Sequence, residues 1–326
     1  MGTGPFAVPM LRELVASPHE IIAVVTRPDH APPGRKAPPN PVRDAAAASG
    51  LTILDPEKTS SPEFVAVLRG LAADLFVVCD YGQILSREVL AIPPLGGINL
   101  HGSLLPRHRG AAPVQWAMLE GDALTGVSVI SITAALDAGN VITARETPIG
   151  PRETAPELER RLAEIGAPAV LDAIERLQAA VAAGHSAAEV GIPQDSAKAT
   201  RAPRLSKSDG IVDWSHTAIR IERMRRALEP WPRAVTFFTR SDGVKQRLVI
   251  ANAEVALQEE FLMPEPAPVA GTVLAVEQSP DAGRIVVACG GGTALAITHL
   301  VPEGKRQMTA GDFLRGSPLR PGALLG

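Results

Sequence analysis

Apolar positions in the first half of the chain fall into two alternating patterns. Largely apolar runs at Ile21-Ile22-Ala23-Val24-Val25-Thr26, Leu75-Phe76-Val77-Val78-Cys79 and Gly97-Ile98-Asn99-Leu100-His101 predict buried strands, and 126–133 predicts a fourth. Helical spacing separates the earlier runs, at about 8–16, 41–49 and 61–71. Strand, helix and strand in repetition predict an α/β fold with a doubly wound, mostly parallel sheet, Rossmann-like in type. Thr154-x-x-Glu157 has the form of a capping box. The helix it opens carries Leu158, Leu162 and Ile165 on one face, continues through Val170, Ile174, Leu177 and Val181, and stops near Gly184. That helix closes a first domain over 1–185.

The pattern then dissolves. Residues 186–209 are polar and aperiodic around Pro193-Gln194-Asp195-Ser196, which predicts an interdomain linker. A short helix follows Asp213-Trp214-Ser215, with Ile221, Met224 and Leu228 on its core face, and Pro230 and Pro232 end it. Short β-type runs at 235–239, 247–251, 271–276, 284–288 and 294–300 predict a small OB-like β-barrel as the second domain, 210–326. Residues 254–268, rich in Glu and Pro without a basic residue, predict an exposed loop.

Composition narrows the picture. At 326 residues and 45% hydrophobic, the chain can build two cores. A net charge of −3 argues against nucleic-acid binding by the whole surface. The charge is uneven, however: residues 198–247 hold twelve Lys or Arg against five Asp or Glu, a local +7. On the 215–228 helix, Arg220, Arg223, Arg225 and Arg226 fall largely away from the apolar face. Such a face can be merely solvated, but so local an excess suits contact with a nucleic-acid backbone. Cys79 and Cys289 stand far apart without a CxxC spacing, against a zinc cluster or disulfide framework and in keeping with a reducing cytosol. No apolar run reaches membrane-spanning length, and the first residues lack a signal-peptide pattern. A cytoplasmic monomer without a membrane or metal requirement is the expectation.

The candidate chemistry sits at the end of the third strand. Asn99 and His101, two apart, share one face of that strand at its carboxyl end, where open α/β sheets build their sites. An amide can donate to an oxyanion while an imidazole moves a proton. By itself the pair could equally be a polar strand end bonded locally. Gly2-Thr3-Gly4-Pro5 is not a dinucleotide fingerprint, because Ala7 stands where the third glycine belongs. No G-x-S-x-G elbow occurs and neither Cys adjoins a His, so no side-chain nucleophile is indicated.

Asn99-x-His101 followed by Ser103-Leu104-Leu105-Pro106-x-x-Arg109-Gly110, with Leu136-Asp137-x-Gly139 downstream, resembles the folate-dependent formyltransferases. Gly2-Thr3-Gly4-Pro5-Phe6-Ala7, Tyr81-Gly82-x-Ile84-Leu85, Pro230-Trp231-Pro232 and the ending at 304–314 extend the resemblance over nearly the whole chain. The last two blocks are similar to the branch acting on methionyl-tRNA. The resemblance implies that Asn99, His101 and Asp137 carry formyl transfer, with Asp137 orienting His101. It implies that Tyr81, Gly82, Ile84 and Leu85, with Ser103, Leu104, Leu105 and Pro106, line the site of the co-substrate 10-formyltetrahydrofolate. It further implies that Arg35 and Lys36, in a Pro-rich loop flanked by Arg27 and Arg43, reach the tRNA, as do Arg220, Arg223 and Arg226. Asp80 and Asn140 depart from the family pattern, where a small apolar residue and an Asp are usual. The family also has a short apolar strand just before its Gly-Thr turn. Met1 is therefore expected to correspond to an internal Met, and the chain expressed alone to be unstable or inactive. A related formyltransferase or hydrolase with a non-tRNA substrate, or a non-catalytic RNA-binding protein on the same scaffold, are the other readings.

Overall fold

A computed structural model describes residues 1–29, 37–240, 243–257, 267–279, 283–317 and 319–326. The chain divides into two compact units, one of residues 1–117, 123–150 and 157–204, the other of 118–122, 151–156 and 205–326. In the first unit the early helices start the way their sequences ask. Asn40 caps α2 (Pro41–Ala48) by accepting from the Arg43 N–H, Ser61 caps α3 (Pro62–Gly70) by accepting from the Phe64 N–H, and each helix opens on proline. α1 (Val8–Ala16) buries Met10, Leu11 and Leu14 on one face.

The sheet of this unit comes in two pieces. β1 (Val24–Val25) pairs in parallel with β2 (Ile53–Leu54). β3 (Phe76–Val78) pairs in parallel with β4 (Gly97–His101), which is antiparallel to β5 (Leu124–Ser131), itself antiparallel to β6 (Val141–Pro148). The sheet is therefore mixed rather than mostly parallel. Residues 132–140 hold no helix that could carry the chain back for a parallel return, so β6 turns directly onto β5. Met1 and Gly2 connect the two pieces: the Gly2 N–H donates to Val25 O and the Cys79 N–H to Met1 O, each at 3.0 Å. A cavity of about 270 Å³ lies beside them, lined by Met10, Leu14, Ile22, Val24, Phe76 and Val77 among others. It borders β1 and β3.

α4 (Arg87–Leu90) precedes β4 and α5 (Pro113–Glu120) follows it, and α6 (Ala155–Ala182) is one continuous helix of 28 residues. Leu158, Leu162, Val170 and Leu177 form its buried stripe. At Gly166 the helix comes so close to β4 that a Cβ would stand 2.8 Å from a Leu100 methyl. Leu100 separates Asn99 from His101, so α6 packs directly behind the strand end that carries both.

The second unit is built on an antiparallel sheet, with two short α-helices among its described residues. β7 (Val235–Thr239), β8 (Lys245–Val255), β11 (Thr293–Pro302), β10 (Gly283–Cys289) and β9 (Val273–Gln278) lie in that order, and β12 (Met308–Thr309) pairs with β11. α7 (Ala218–Ala227) buries Ile221 and Met224, and α8 (Ala310–Gly316) buries Phe313 and Leu314. Trp214 is buried and donates its indole N–H to Thr236 Oγ1 at 3.0 Å. Among the described residues the ladder of regular strands is an open row, β7 at one edge and β9 at the other. Its edges, β7 and β9, are each met by residues near the C-terminus: the Gly326 N–H donates to Phe237 O, and the Val273 N–H to Ala323 O. Of the expected loop at 254–268, Glu254 and Val255 belong to β8, and 258–266 lie outside the described residues.

The burial pattern separates load from display. Ile98 is 1% exposed in β4, whereas Ile84 is 92% exposed. Ile98→Ala is expected to cost about 2–5 kcal/mol in a urea unfolding curve, and Ile84→Ala within about 0.5 kcal/mol of nothing. Equal effects of the two would contradict this packing.

Candidate active site

β4 delivers Asn99 and His101 to one end of the sheet, as their spacing requires. Asn99 is half-buried, and among the described residues its carboxamide makes no hydrogen bond. His101 is 6% exposed, with Nε2 2.9 Å from His108 O. A carbonyl only accepts, so this nitrogen carries the hydrogen. Nδ1 faces Asp137 Oδ2 at 3.8 Å, beyond hydrogen-bond reach. Burial pushes the His101 pKa below its ordinary value, while the Asp137 charge and the His108 carbonyl partly oppose that shift. That direction favours the neutral imidazole at rest. A proton arriving at Nδ1 would be met by the carboxylate, while the Nε2–H stays bonded to the carbonyl.

Two strained loops hold this arrangement. Asp137 and His108 both adopt left-handed backbone, at φ +48° and +60°. Non-glycine residues there are uncommon and collect at functional sites. The Gly110 N–H donates to Asp137 Oδ2 at 2.9 Å, tying one loop to the other. The glycines of both motifs permit close approach. A Cβ on Gly139 would stand 1.7 Å from Ser131 O, and one on Gly110 2.4 Å from Ala202 O.

Residues 191–202, aperiodic in sequence, brace both loops. Val141 and Ile192 exchange backbone hydrogen bonds at 2.9 Å. Thr200 accepts from the His108 N–H through Oγ1 and from the Arg109 N–H through its carbonyl. Gln194 bonds to the Asp137 and Gly139 carbonyls and to the Arg109 guanidinium. Nothing in the local sequence singles out Gln194 or Thr200. Their polarity inside a Pro-flanked stretch was the only signal.

The other expected site residues divide into bracing and exposed groups. Tyr81 is buried, and its hydroxyl shares a 2.8 Å hydrogen bond with Thr59 Oγ1. Ser103 is buried too: its hydroxyl donates to Arg107 O, and its carbonyl accepts from Ser128 Oγ. Both side chains therefore brace their loops from inside. Gly82, at φ +77°, turns the chain toward Ile84, and Leu85 packs on the core. Leu104, Leu105 and Pro106 are half-buried, with the Leu105 N–H bonded to Ser128 Oγ. Leu136, beside Asp137, is 71% exposed.

Both cysteine thiols are buried and shifted upward by that burial, Cys289 to about 12, so neither is a poised nucleophile. Among the described residues no group of three or more His, Cys, Asp or Glu is arranged to hold a metal ion.

The basic candidates fare unevenly. Arg35 and Lys36 lie outside the described residues. Arg43 is paired with Asp29 and Asp55. Arg220 is exposed, and Arg223 is half-buried over Gly121. Arg226 does not face away from the core as expected. It is buried, donating through Nε to both Glu222 oxygens and through Nη1 to Glu153 O. Residues 151–156 supply that carbonyl, a cover that helical periodicity cannot reveal. Arg225 shares Glu222 with it.

Comparison with known proteins gives a consistent answer. Residues 1–174 match the formyl transferase family model, and 204–318 match the formyl transferase C-terminal domain. The chain is 42% identical to the methionyl-tRNA formyltransferase of Rhodopirellula baltica, over 100% of this chain and 95% of that one. It is 39% identical to the methionyl-tRNA formyltransferase of Geobacter sulfurreducens, with the same coverage of 100% and 95%. Among solved structures, the N-formyltransferase of Helicobacter canadensis, in complex with folinic acid and dTDP-3-aminofucose, is similar in fold. Its TM-score is 0.58 at 14% identity, over 91% of this chain and 96% of that one. HypX from Aquifex aeolicus, in complex with tetrahydrofolic acid, gives a TM-score of 0.52 at 19% identity, over 78% of this chain and 41% of that longer one. The chain belongs to the methionyl-tRNA formyltransferase family, within the formyl transferases.

Proposed function

We propose that this chain transfers the formyl group of 10-formyltetrahydrofolate to the α-amino group of methionyl-tRNA, for translation initiation. The observation that carries the chemistry is the buried His101 facing Asp137, two residues from Asn99, whose carboxamide makes no hydrogen bond among the described residues. The neutral amine attacks the formyl carbon, and the carbonyl π pair moves onto oxygen. Asn99 donates to that oxyanion. The amine nitrogen, now cationic, gives a proton to His101 Nδ1, and Asp137 stabilises the imidazolium. The carbonyl re-forms as the bond from carbon to N10 of the folate breaks. N10 leaves with the electron pair and takes the proton back from His101. Formyl-methionyl-tRNA and tetrahydrofolate result, and no residue is acylated.

The loops at 81–85 and 103–106 take the folate, with exposed Ile84 offering an apolar wall and the loop backbones offering polar contacts. The tRNA is held by the second unit, whose segment carries most of the local positive excess, with Arg220 exposed for a phosphate. Arg35 and Lys36 add to that contact by family resemblance. The meeting of both sheet edges by residues 323–326 supports an OB-like, barrel-type reading of this unit. Arg226 has no place in the contact, because its guanidinium is already committed to Glu222.

A labelled formyl-transfer assay tests the chemistry, with methionyl-tRNA, free methionine and an amino sugar as competing acceptors. Transfer confined to methionyl-tRNA is expected, and transfer to the amino sugar alone would overturn the substrate. Asn99→Ala and His101→Ala should each lower kcat by about 10²–10³-fold while the KM for folate stays within about twofold. Near-normal turnover in His101→Ala would remove the mechanism.

The charge assignment has its own test. Arg220→Glu should raise the KM for tRNA several-fold at low salt, an effect that shrinks as salt rises, with folate KM unchanged. Arg226→Ala should instead lower the melting temperature, since it strands Glu222 beside Arg225 alone. A change in folate KM equal to that for tRNA in Arg220→Glu would place this residue wrongly.

A further inference from the structure

We infer that Gln194 is a positioning residue for the transfer reaction, holding the Asp137 turn and the Arg109 loop together so that both partners of the His101 imidazole stay in place. The inference rests on the reading of Asp137 given above. Its ground is the complete use of one carboxamide. Gln194 Nε2 donates to Asp137 O at 2.9 Å and to Gly139 O at 2.8 Å. Gln194 Oε1 accepts from Arg109 Nε at 3.1 Å and from Nη2 at 2.7 Å. Two donor hydrogens and two acceptor directions are the whole capacity of an amide.

Those four bonds join two loops that each present one group to His101. The 108–110 loop supplies the carbonyl that fixes Nε2, and its Gly110 N–H grips the Asp137 carboxylate. The 137–139 turn supplies the carboxylate facing Nδ1. That turn has little support of its own. Within it, the Ala138 N–H reaches Ala135 O only at 3.4 Å, and Asp137 is held at a strained φ of +48°. Gln194 is fixed in turn from both sides, by the Val141–Ile192 backbone pair and by the Thr200 bonds to 108–109. It touches neither Asn99 nor His101 through any hydrogen bond among the described residues, so its influence passes through Asp137 and Arg109.

A residue that merely braces the fold would change stability and would add its effect to that of any other mutation. A positioning residue acts through Asp137, so its effect should vanish once Asp137 is gone. The test is a double-mutant cycle on the full chain, read as kcat for formyl transfer to methionyl-tRNA. Gln194→Met keeps the side-chain volume and removes all four bonds. It should lower kcat by about 10–100-fold, the scale set by a catalytic group displaced by about 1 Å, with both KM values within about twofold. In an Asp137→Ala background the same change should lower kcat by less than about twofold more. Gln194→Glu, which keeps an acceptor for Arg109 but loses both donors, should resemble Gln194→Met and supplies the answer if the latter folds poorly. Turnover in both Gln194 variants within about threefold of the parent, or a full multiplicative loss in the double variant, would overturn the inference. Unimpaired turnover in Asp137→Ala alone would overturn the reading of Asp137 first, and this inference with it.

Discussion

The proposed chemistry of the first unit depends on one imidazole held by unlike partners. His101 gives its Nε2–H to a backbone carbonyl and turns Nδ1 toward a carboxylate too distant to bond. The neutral ring leaves the Nδ1 lone pair facing negative charge, and the protonated ring satisfies both partners. Burial tips the resting balance to the neutral form. In the proposed reaction the site gains most from a proton at the moment one is released. The cost is borne in the surrounding loops, where two non-glycine residues adopt left-handed backbone and two glycines permit contacts that no Cβ could share.

The regular part of this design was legible in the sequence because local pattern and buried environment agree. The run at 97–101 has the bounds of β4, and 235–239 those of β7. The Asn99 and His101 geometry followed from strand periodicity alone. Where the two signals disagree, the pattern misleads. The run at 21–26, five apolar residues and Thr26, yields only Val24–Val25 as strand, because only those two pair with β2. β6 escaped notice because Arg145, Glu146 and most of its outer half are exposed, leaving Ile142 and Thr143 as its buried pair.

What could not be read was order created at a distance. The stretch at 191–202 has no period, so its composition resembles a linker. Its order comes from Val141, His108, Arg109 and the Asp137 turn, all remote in sequence. Arg226 misled for the same reason. Its helical position suggested solvent, but Glu222 one turn away and the carbonyl of Glu153 enclose it. Motif glycines, by contrast, were visible as letters but not as reasons. Gly139 stands against Ser131 O and Gly110 against Ala202 O.

The central claim concerns the protonation state of one ring, and it can be measured directly. ¹⁵N NMR of the imidazoles across about pH 5 to 8, with His101 assigned by the signal lost in His101→Gln, reports tautomer and midpoint together. The account predicts the hydrogen on Nε2, a midpoint below about 6.5, and a further fall in Asp137→Asn, which removes the charge opposing burial. A hydrogen on Nδ1 in the neutral ring, or a midpoint at or above about 6.5, would contradict it.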